Sequence, residues 1–148
     1  MPVALDAADE VFMEKRSDAM LTEQSANPIP KVLIVDDEET HRWIAETNLR
    51  RRGDVEIFTA DCGEAALPLI NSHEFDLIIS DLNMPKGNGQ WLLSQIKDKK
   101  HAPVMMMSGE TIPCNKLREM GAYGAIPKPH TRETFLMAVD FIFGTLSS

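Results

Sequence analysis

A short apolar run that ends on an acid is the feature that most constrains the fold of this chain. Residues 77–80 read LIIS, and Asp81 follows them directly. Residues 82–85 then read LNMP, and a proline at that point is not compatible with a central strand. The pattern therefore predicts a buried strand whose last side chain, the Asp81 carboxylate, lies at the mouth of a sheet.

Similar apolar runs alternate with helical patterns along the chain. Strands are predicted over 32–35, 55–59, 75–80, 104–107 and 125–126, and helices over 40–52, 63–71, 90–97, 113–120 and 131–143. Runs such as VLIV at 32–35 are continuously apolar, as strands covered on both faces require. The alternation predicts an α/β fold with a five-stranded, doubly wound parallel sheet.

The first 30 residues differ in composition from the rest. They carry the acidic residues Asp6, Asp9, Glu10, Glu14, Asp18 and Glu23. Only Lys15 and Arg16 oppose these charges, and the segment ends in the linker-like sequence SANPIP at 25–30. We predict an acidic tail or docking helix plus a linker over 1–30, and one domain over 31–148.

Charge and hydropathy argue against several classes of partner. The net charge of −8 at pH 7 disfavours direct binding to nucleic acid or to an anionic membrane. No apolar run approaches the roughly 18 residues that a membrane helix needs. The N-terminus has neither the basic nor the apolar region of a signal peptide. We therefore expect a cytoplasmic protein.

Polar residues with complementary chemistry follow the predicted strands. Asp36 and Asp37 follow the first strand, Ser108 the fourth and Lys128 the fifth. Ligands bind outside the C-terminal ends of parallel strands, so these side chains should converge on Asp81. Three carboxylates need a cation, and oxygen ligands suit Mg²⁺, with Mn²⁺ as an alternative. The set favours phosphoryl transfer, with Asp81 as the nucleophile that becomes an aspartyl phosphate.

These residues lie in four short motifs: VDDE at 35–38, SDLNMPKGNG at 80–89, MSGE at 107–110 and PKPH at 127–130. In this order and at strand ends, the motifs resemble the receiver domain of two-component response regulators. The resemblance covers 31 to about 146 and implies the flavodoxin-like strand order 2-1-3-4-5. It implies a signalling module rather than an enzyme, with a histidine kinase or phosphotransfer protein as the phosphate donor. A downstream protein or a C-terminal output domain would respond.

The resemblance also implies a role for each residue of the site. The implied metal ligands are three carboxylates and one backbone carbonyl, those of Asp36, Asp37, Asp81 and Asn83. Ser108 and Lys128 would contact the phosphoryl group, and the Lys128–Pro129 peptide bond is expected to be cis. Asn83 and Glu110 would flank the pocket and tune the reaction, as in chemotaxis-type receivers, so we expect a short-lived aspartyl phosphate.

Three departures from the family pattern concern the surface that signals. The position three residues before the lysine is usually Tyr or Phe but is Ala125 here, and Tyr123 lies two residues earlier. The segment 108–121 is short and contains Pro113, which predicts a short fourth helix. Trp91 stands where the third helix is usually polar, so either that helix is rotated or Trp91 is exposed. Trp91, Tyr123 and Ala125 are candidates for a partner surface. A homodimer is a separate possibility that the sequence leaves open.

Two other functions remain open from the sequence. A haloacid-dehalogenase-like phosphatase also uses a strand-end aspartate, but it needs an acid two residues later, where this chain has Asn83. A passive interaction module with the receiver fold would not need the intact set of acids. Whether the chain is a stand-alone receiver or part of a longer regulator also stays open.

Overall fold

The computed structural model describes residues 29–147, in which strands and helices alternate. In chain order they are β1 (Lys31–Val35), α1 (Glu39–Arg52), β2 (Glu56–Ala60), α2 (Gly63–Ser72), β3 (Leu77–Asp81), α3 (Gly89–Ile96), β4 (Val104–Ser108), α4 (Cys114–Met120), β5 (Gly124–Pro127) and α5 (Arg132–Ser147). Each element predicted from the sequence is present.

The strands form one sheet in the order β2-β1-β3-β4-β5, and every neighbouring pair is parallel. This confirms the predicted fold class and the order 2-1-3-4-5. The winding changes direction at β1, which lies between β2 and β3. A crevice opens at such a switch point, outside the C-terminal ends of the strands. Asp36 follows β1 and Asp81 ends β3, so both residues lie at this crevice.

Two apolar layers cover the sheet because alternate residues of each strand point to opposite faces. In β1, Val32 and Ile34 pack with α1 and α5, while Leu33 and Val35 pack with α2 and α3. β3 and β4 are buried along their whole length. The covered sheet therefore holds the strand ends in fixed positions.

Several element ends differ from those predicted. β3 begins at Leu77 rather than at 75 and includes Asp81 as its last residue, which is in register with Met107 of β4. Asp76 lies just before β3 rather than within it. Its side chain accepts a hydrogen bond from the backbone N–H of Lys31 at 2.8 Å and so holds the start of β1 in place. α4 is short, as predicted, and has no buried residue. The Asp81 backbone is thus fixed by strand pairing rather than by a loop.

The predicted N-terminal segment 1–30 lies outside the described residues except for Ile29 and Pro30. The division into segment and domain therefore stays a prediction. Within residues 29–147, no helix combines the length and the apolar composition that crossing a bilayer requires.

Two glycines allow the N-terminus of α2 to touch the loop after β3. The Gly63 N–H donates a hydrogen bond to the Gly87 carbonyl oxygen at 2.7 Å. A Cβ atom on residue 63 would lie 2.5 Å from that oxygen. We expect Gly63→Ala to lower the free energy of unfolding by roughly 1–3 kcal/mol, the usual effect of overpacking.

Urea unfolding measures this effect, with Gly144→Ala as the control. A Cβ atom at residue 144 would meet nothing within 4 Å, and alanine favours the helix, so this change should be neutral or stabilising. Equal stability of Gly63→Ala and the wild type would contradict the packing described.

Candidate functional site

Three carboxylates meet at the C-terminal edge of the sheet. Asp36, Asp37 and Asp81 each place a carboxylate oxygen within 4.8 Å of the others. Asp36 is fully buried and Asp81 nearly so, whereas Asp37 is exposed. The Asp36 carboxylate is held in place by the Glu38 N–H, which donates to Oδ1 at 3.0 Å. The cluster is therefore anchored on its buried side and open to solvent at Asp37.

The Lys128 ammonium is the cation nearest to these carboxylates among the described contacts. Its Nζ atom lies 3.2 Å from Oδ2 of Asp36 and 3.2 Å from Oδ2 of Asp81. The Lys128 N–H donates to the Ser108 carbonyl oxygen at 2.8 Å, which fixes the backbone after β5 beside the end of β4. The Lys128–Pro129 peptide bond is cis, which confirms that expectation.

Burial and charge perturb the two ionisable groups at the centre of the site. Burial raises the pKa of the Asp81 carboxyl above its ordinary value of 3.8, Lys128 offsets part of this effect, and Asp36 adds to it. For Lys128, burial works to lower the pKa, but the Asp36 and Asp81 carboxylates outweigh it and raise the pKa above 10.5. Lys128 is therefore a permanent cation at neutral pH, held between two acids.

The remaining predicted site residues flank this centre. Ser108 is buried, and its Oγ accepts a hydrogen bond from the Glu110 N–H at 3.0 Å. The Asn83 N–H lies 3.4 Å from Oδ1 of Asp81. The Asn83 and Glu110 side chains are exposed. Both residues thus border the acidic cluster from the loops after β3 and β4.

The Trp91 side chain is partly buried, so of the two alternatives, a rotated third helix or an exposed Trp91, the second is not observed. Its role in binding a partner stays a prediction. Its indole ring lies in a slot between two glycines: a Cβ atom on Gly87 would lie 2.7 Å from the ring, and one on Gly63 2.9 Å. The Asn88 side chain accepts a hydrogen bond from the backbone N–H of Trp91 at 2.8 Å and thereby caps the N-terminus of α3. Trp91 therefore packs the loop after β3 against α2, because two residues without side chains leave room for the ring.

Tyr123 and Ala125 lie at the other side of the site and are both exposed. The Tyr123 N–H donates to the Val104 carbonyl oxygen at 2.8 Å, and its ring centroid lies 6.2 Å from that of Phe141. Ala125 is in register with Met106 in the sheet. Their role in binding a partner stays a prediction.

His41 contacts the site but was not among the predicted residues. Its Nδ1 atom lies 3.1 Å from Nζ of Lys128 and 3.6 Å from Oδ2 of Asp36. The sequence offered one indication of this contact: His41 lies in the first turn of the helix that follows β1, and that turn lies near the C-terminal end of β1. The histidines are scattered in the sequence, so this contact was not visible in their spacing.

Comparison with known proteins agrees with this arrangement. The family model described as the response regulator receiver domain matches residues 32–140. The chain belongs to this family of signalling modules, which are components of two-component systems.

Its relatives include chemotaxis regulators. The chain is 37% identical to chemotaxis protein CheY-3 of Vibrio cholerae over 121 residues, which cover 78% of this chain and 93% of that protein. It is 35% identical to chemotaxis protein CheY of Pseudomonas aeruginosa over 118 residues, or 76% of this chain and 95% of that protein. The structure of CheY4 of V. cholerae matches with a TM-score of 0.72 at 32% identity, over 78% of this chain and 99% of that chain.

Proposed function

We propose that this chain is a phosphoacceptor that receives a phosphoryl group on Asp81 in the presence of Mg²⁺ and thereby changes its affinity for a partner. One observation carries the proposal: Asp81 lies among Asp36, Asp37 and Lys128 at the switch point of the sheet. A purely structural role would not require three carboxylates and a largely buried lysine at the C-terminal edge of the sheet.

The acidic cluster fits a divalent cation. Three carboxylate oxygens within 4.8 Å of one another are hard ligands, and the exposure of Asp37 leaves room for bound water, which Mg²⁺ retains. The carbonyl oxygen of Asn83 is the fourth proposed ligand. When bound, the cation would neutralise negative charge at the cluster and on the phosphoryl oxygens.

Asp81, Lys128 and Ser108 would each have a separate role in the phosphoryl transfer. An Asp81 carboxylate oxygen attacks phosphorus, the new O–P bond forms, and the bond to the donor's leaving group breaks. Lys128 lies 3.2 Å from Asp81, so it can balance the charge of a phosphoryl oxygen without a large movement. Ser108, at the end of β4, would donate its hydroxyl hydrogen to another oxygen.

The phosphate donor proposed for this chain is a histidine kinase or a phosphotransfer protein. The similarity to chemotaxis proteins favours a separate downstream protein as the target, and a C-terminal output domain is the alternative. A homodimer is a further arrangement. Tyr123 and Ala125 are the exposed members of the proposed partner surface. The proposed location is the cytoplasm.

Incubation with acetyl phosphate and Mg²⁺, followed by intact-mass measurement, tests the proposal. Wild type should gain the mass of one phosphoryl group transiently, and Asp81→Asn should gain none. Sustained turnover of an unrelated phosphoester would instead indicate a phosphatase. Absence of an adduct with every donor, including a phosphorylated phosphotransfer protein, would leave a passive interaction module.

Asp37→Asn should weaken Mg²⁺ binding about tenfold or more. Replacing a residue that only hydrogen-bonds to a metal ligand already weakens metal binding by about that factor, and Asp37 is itself a proposed ligand. The measurement is the rise in Tm as Mg²⁺ is added, which reports binding to the folded state. Asp54→Asn removes the same charge at an exposed position before β2, at the opposite edge of the sheet, and should bind Mg²⁺ like the wild type. Unchanged Mg²⁺ affinity in Asp37→Asn would argue against the proposed ligands.

The aspartyl phosphate should be short-lived. Asn83 and Glu110 border the site with exposed side chains, so neither covers the Asp81 carboxylate from water. Decay of the phosphoryl adduct after removal of the donor, followed by intact mass in Mg²⁺, checks this. An adduct that persists for hours would contradict it.

A further inference from the structure

The imidazole of His41 contacts the one lysine of the site. His41 lies in the first turn of α1, and its Nδ1 atom is 3.1 Å from Nζ of Lys128. Lysine carries only hydrogen-bond donors, so Nδ1 of His41 must accept this bond. The ring proton then resides on Nε2, which lies 3.6 Å from Oε1 of Glu38. The hydrogen bond from Lys128 thus selects this tautomer, because the Asp36 carboxylate, at 3.6 Å from Nδ1, is too far away to accept a hydrogen bond from that atom.

His41 completes the set of acceptors around Lys128. A lysine ammonium has three N–H groups. Three acceptors lie within 3.2 Å of Nζ: Oδ2 of Asp36, Oδ2 of Asp81 and Nδ1 of His41. The two carboxylates are the groups that the proposed metal and the phosphoryl group would engage. His41 is therefore the acceptor that can hold Lys128 before and after Asp81 is phosphorylated.

The surroundings explain why Lys128 needs such a contact. A cavity of about 390 Å³ borders the lysine. Its walls come from α1, β4 and the loop after β5: His41, Ile44, Met107, Lys128, Pro129 and His130. A flexible four-carbon side chain beside an open space loses its position when its contacts are removed. The His41 ring forms part of this wall and also bonds the lysine.

We infer that His41 is a positioning residue, which keeps Lys128 directed at the phosphoryl group throughout phosphorylation of Asp81. The inference rests on the proposed function, because the reaction it supports is that of Asp81. His41 acts through Lys128 and has no described contact with Asp81 itself.

Three substitutions separate this role from simple packing. In His41→Asn, the side-chain oxygen takes the place of Nδ1. In His41→Gln, the side-chain oxygen takes the place of Nε2 instead, and His41→Leu offers no acceptor. We expect His41→Leu and His41→Gln to slow phosphorylation by acetyl phosphate about tenfold, a factor that one hydrogen bond to a charged group can supply. His41→Asn should stay close to the wild-type rate. Mg²⁺ affinity should not change, because the three carboxylates remain.

Equal rates in all four proteins, or equal slowing by leucine and asparagine, would overturn the inference while leaving the proposed function intact. Absence of an adduct in the wild type would overturn both.

A second measurement does not depend on phosphorylation. Nitrogen NMR of the neutral His41 ring should show the proton on Nε2, and Lys128→Met should shift the Nδ1 signal. A proton on Nδ1 in the wild type would contradict the inferred hydrogen bond.

Discussion

Lys128→Met should lower the free energy of unfolding by roughly 3 kcal/mol at neutral pH, because it leaves two buried carboxylates without their cation. Lys128 is itself only 19% exposed, and Asp36 and Asp81, which it contacts at 3.2 Å, are 0% and 9% exposed. Methionine retains most of the volume of the side chain. The expected loss therefore comes from the removed charge and not from a cavity.

The pH dependence of this effect follows from the raised pKa of Lys128. A cation whose folded-state pKa exceeds its unfolded value of 10.5 stabilises the fold fully below 10.5. That contribution disappears as the pH rises through the folded-state value. The contribution of the Lys128 charge to the stability gap between wild type and Lys128→Met should thus be complete near neutral pH and should shrink above pH 10.5.

Urea unfolding in metal-free buffer measures the gap, and Lys116→Met, at an exposed position of α4, is the control. Saturating Mg²⁺ should restore part of the stability of Lys128→Met, because a cation at the carboxylates replaces the lost charge. A variant as stable as the wild type, with no response to Mg²⁺, would contradict the described ion pairs.

Asp81→Asn should abolish phosphorylation and stabilise the domain. Burial raises the pKa of the Asp81 carboxyl, so the fold disfavours its charged form. This cost is present in full above the folded-state pKa and disappears as the pH falls towards the unfolded value of 3.8. An amide avoids the cost, and Lys128 keeps Asp36 and His41 as partners.

We expect Asp81→Asn to raise the Tm in metal-free buffer near pH 7, by about 4 °C for each 1 kcal/mol of added stability in a domain of this size. The difference should narrow as the pH approaches 3.8. Asp98→Asn removes an exposed carboxylate and should leave the Tm unchanged. A lower Tm for Asp81→Asn at pH 7 would mean that the Lys128 contact outweighs burial.

The fold and the centre of the site could be predicted from local patterns. Continuous apolar runs indicated strands covered on both faces, and the polar residues that end them lie where parallel strands must meet. Asp36, Asp37, Asp81 and Lys128 were therefore predicted to converge without any knowledge of side-chain positions. The structure brings them together.

Two contacts depend on distant parts of the chain, and the sequence alone did not predict them. Trp91 is partly buried because Gly63 and Gly87 leave a slot for its ring, and the helical pattern of the eight residues in α3 does not show which glycines face that ring. His41 meets Lys128, 87 residues further along the chain, because the first turn of α1 and the loop after β5 both lie at the C-terminal edge of the sheet. Contacts of this kind follow from packing rather than from periodicity.

Reductive trapping of the phosphorylated residue tests the central claim most directly. Borohydride reduces an aspartyl phosphate to homoserine but does not reduce a free carboxylate. After treatment with acetyl phosphate and Mg²⁺, borohydride reduction and peptide mass mapping should therefore find homoserine at position 81. Phosphorylation followed by homoserine at any other aspartate, or by none at all, would contradict the assignment of Asp81 as the phosphoacceptor.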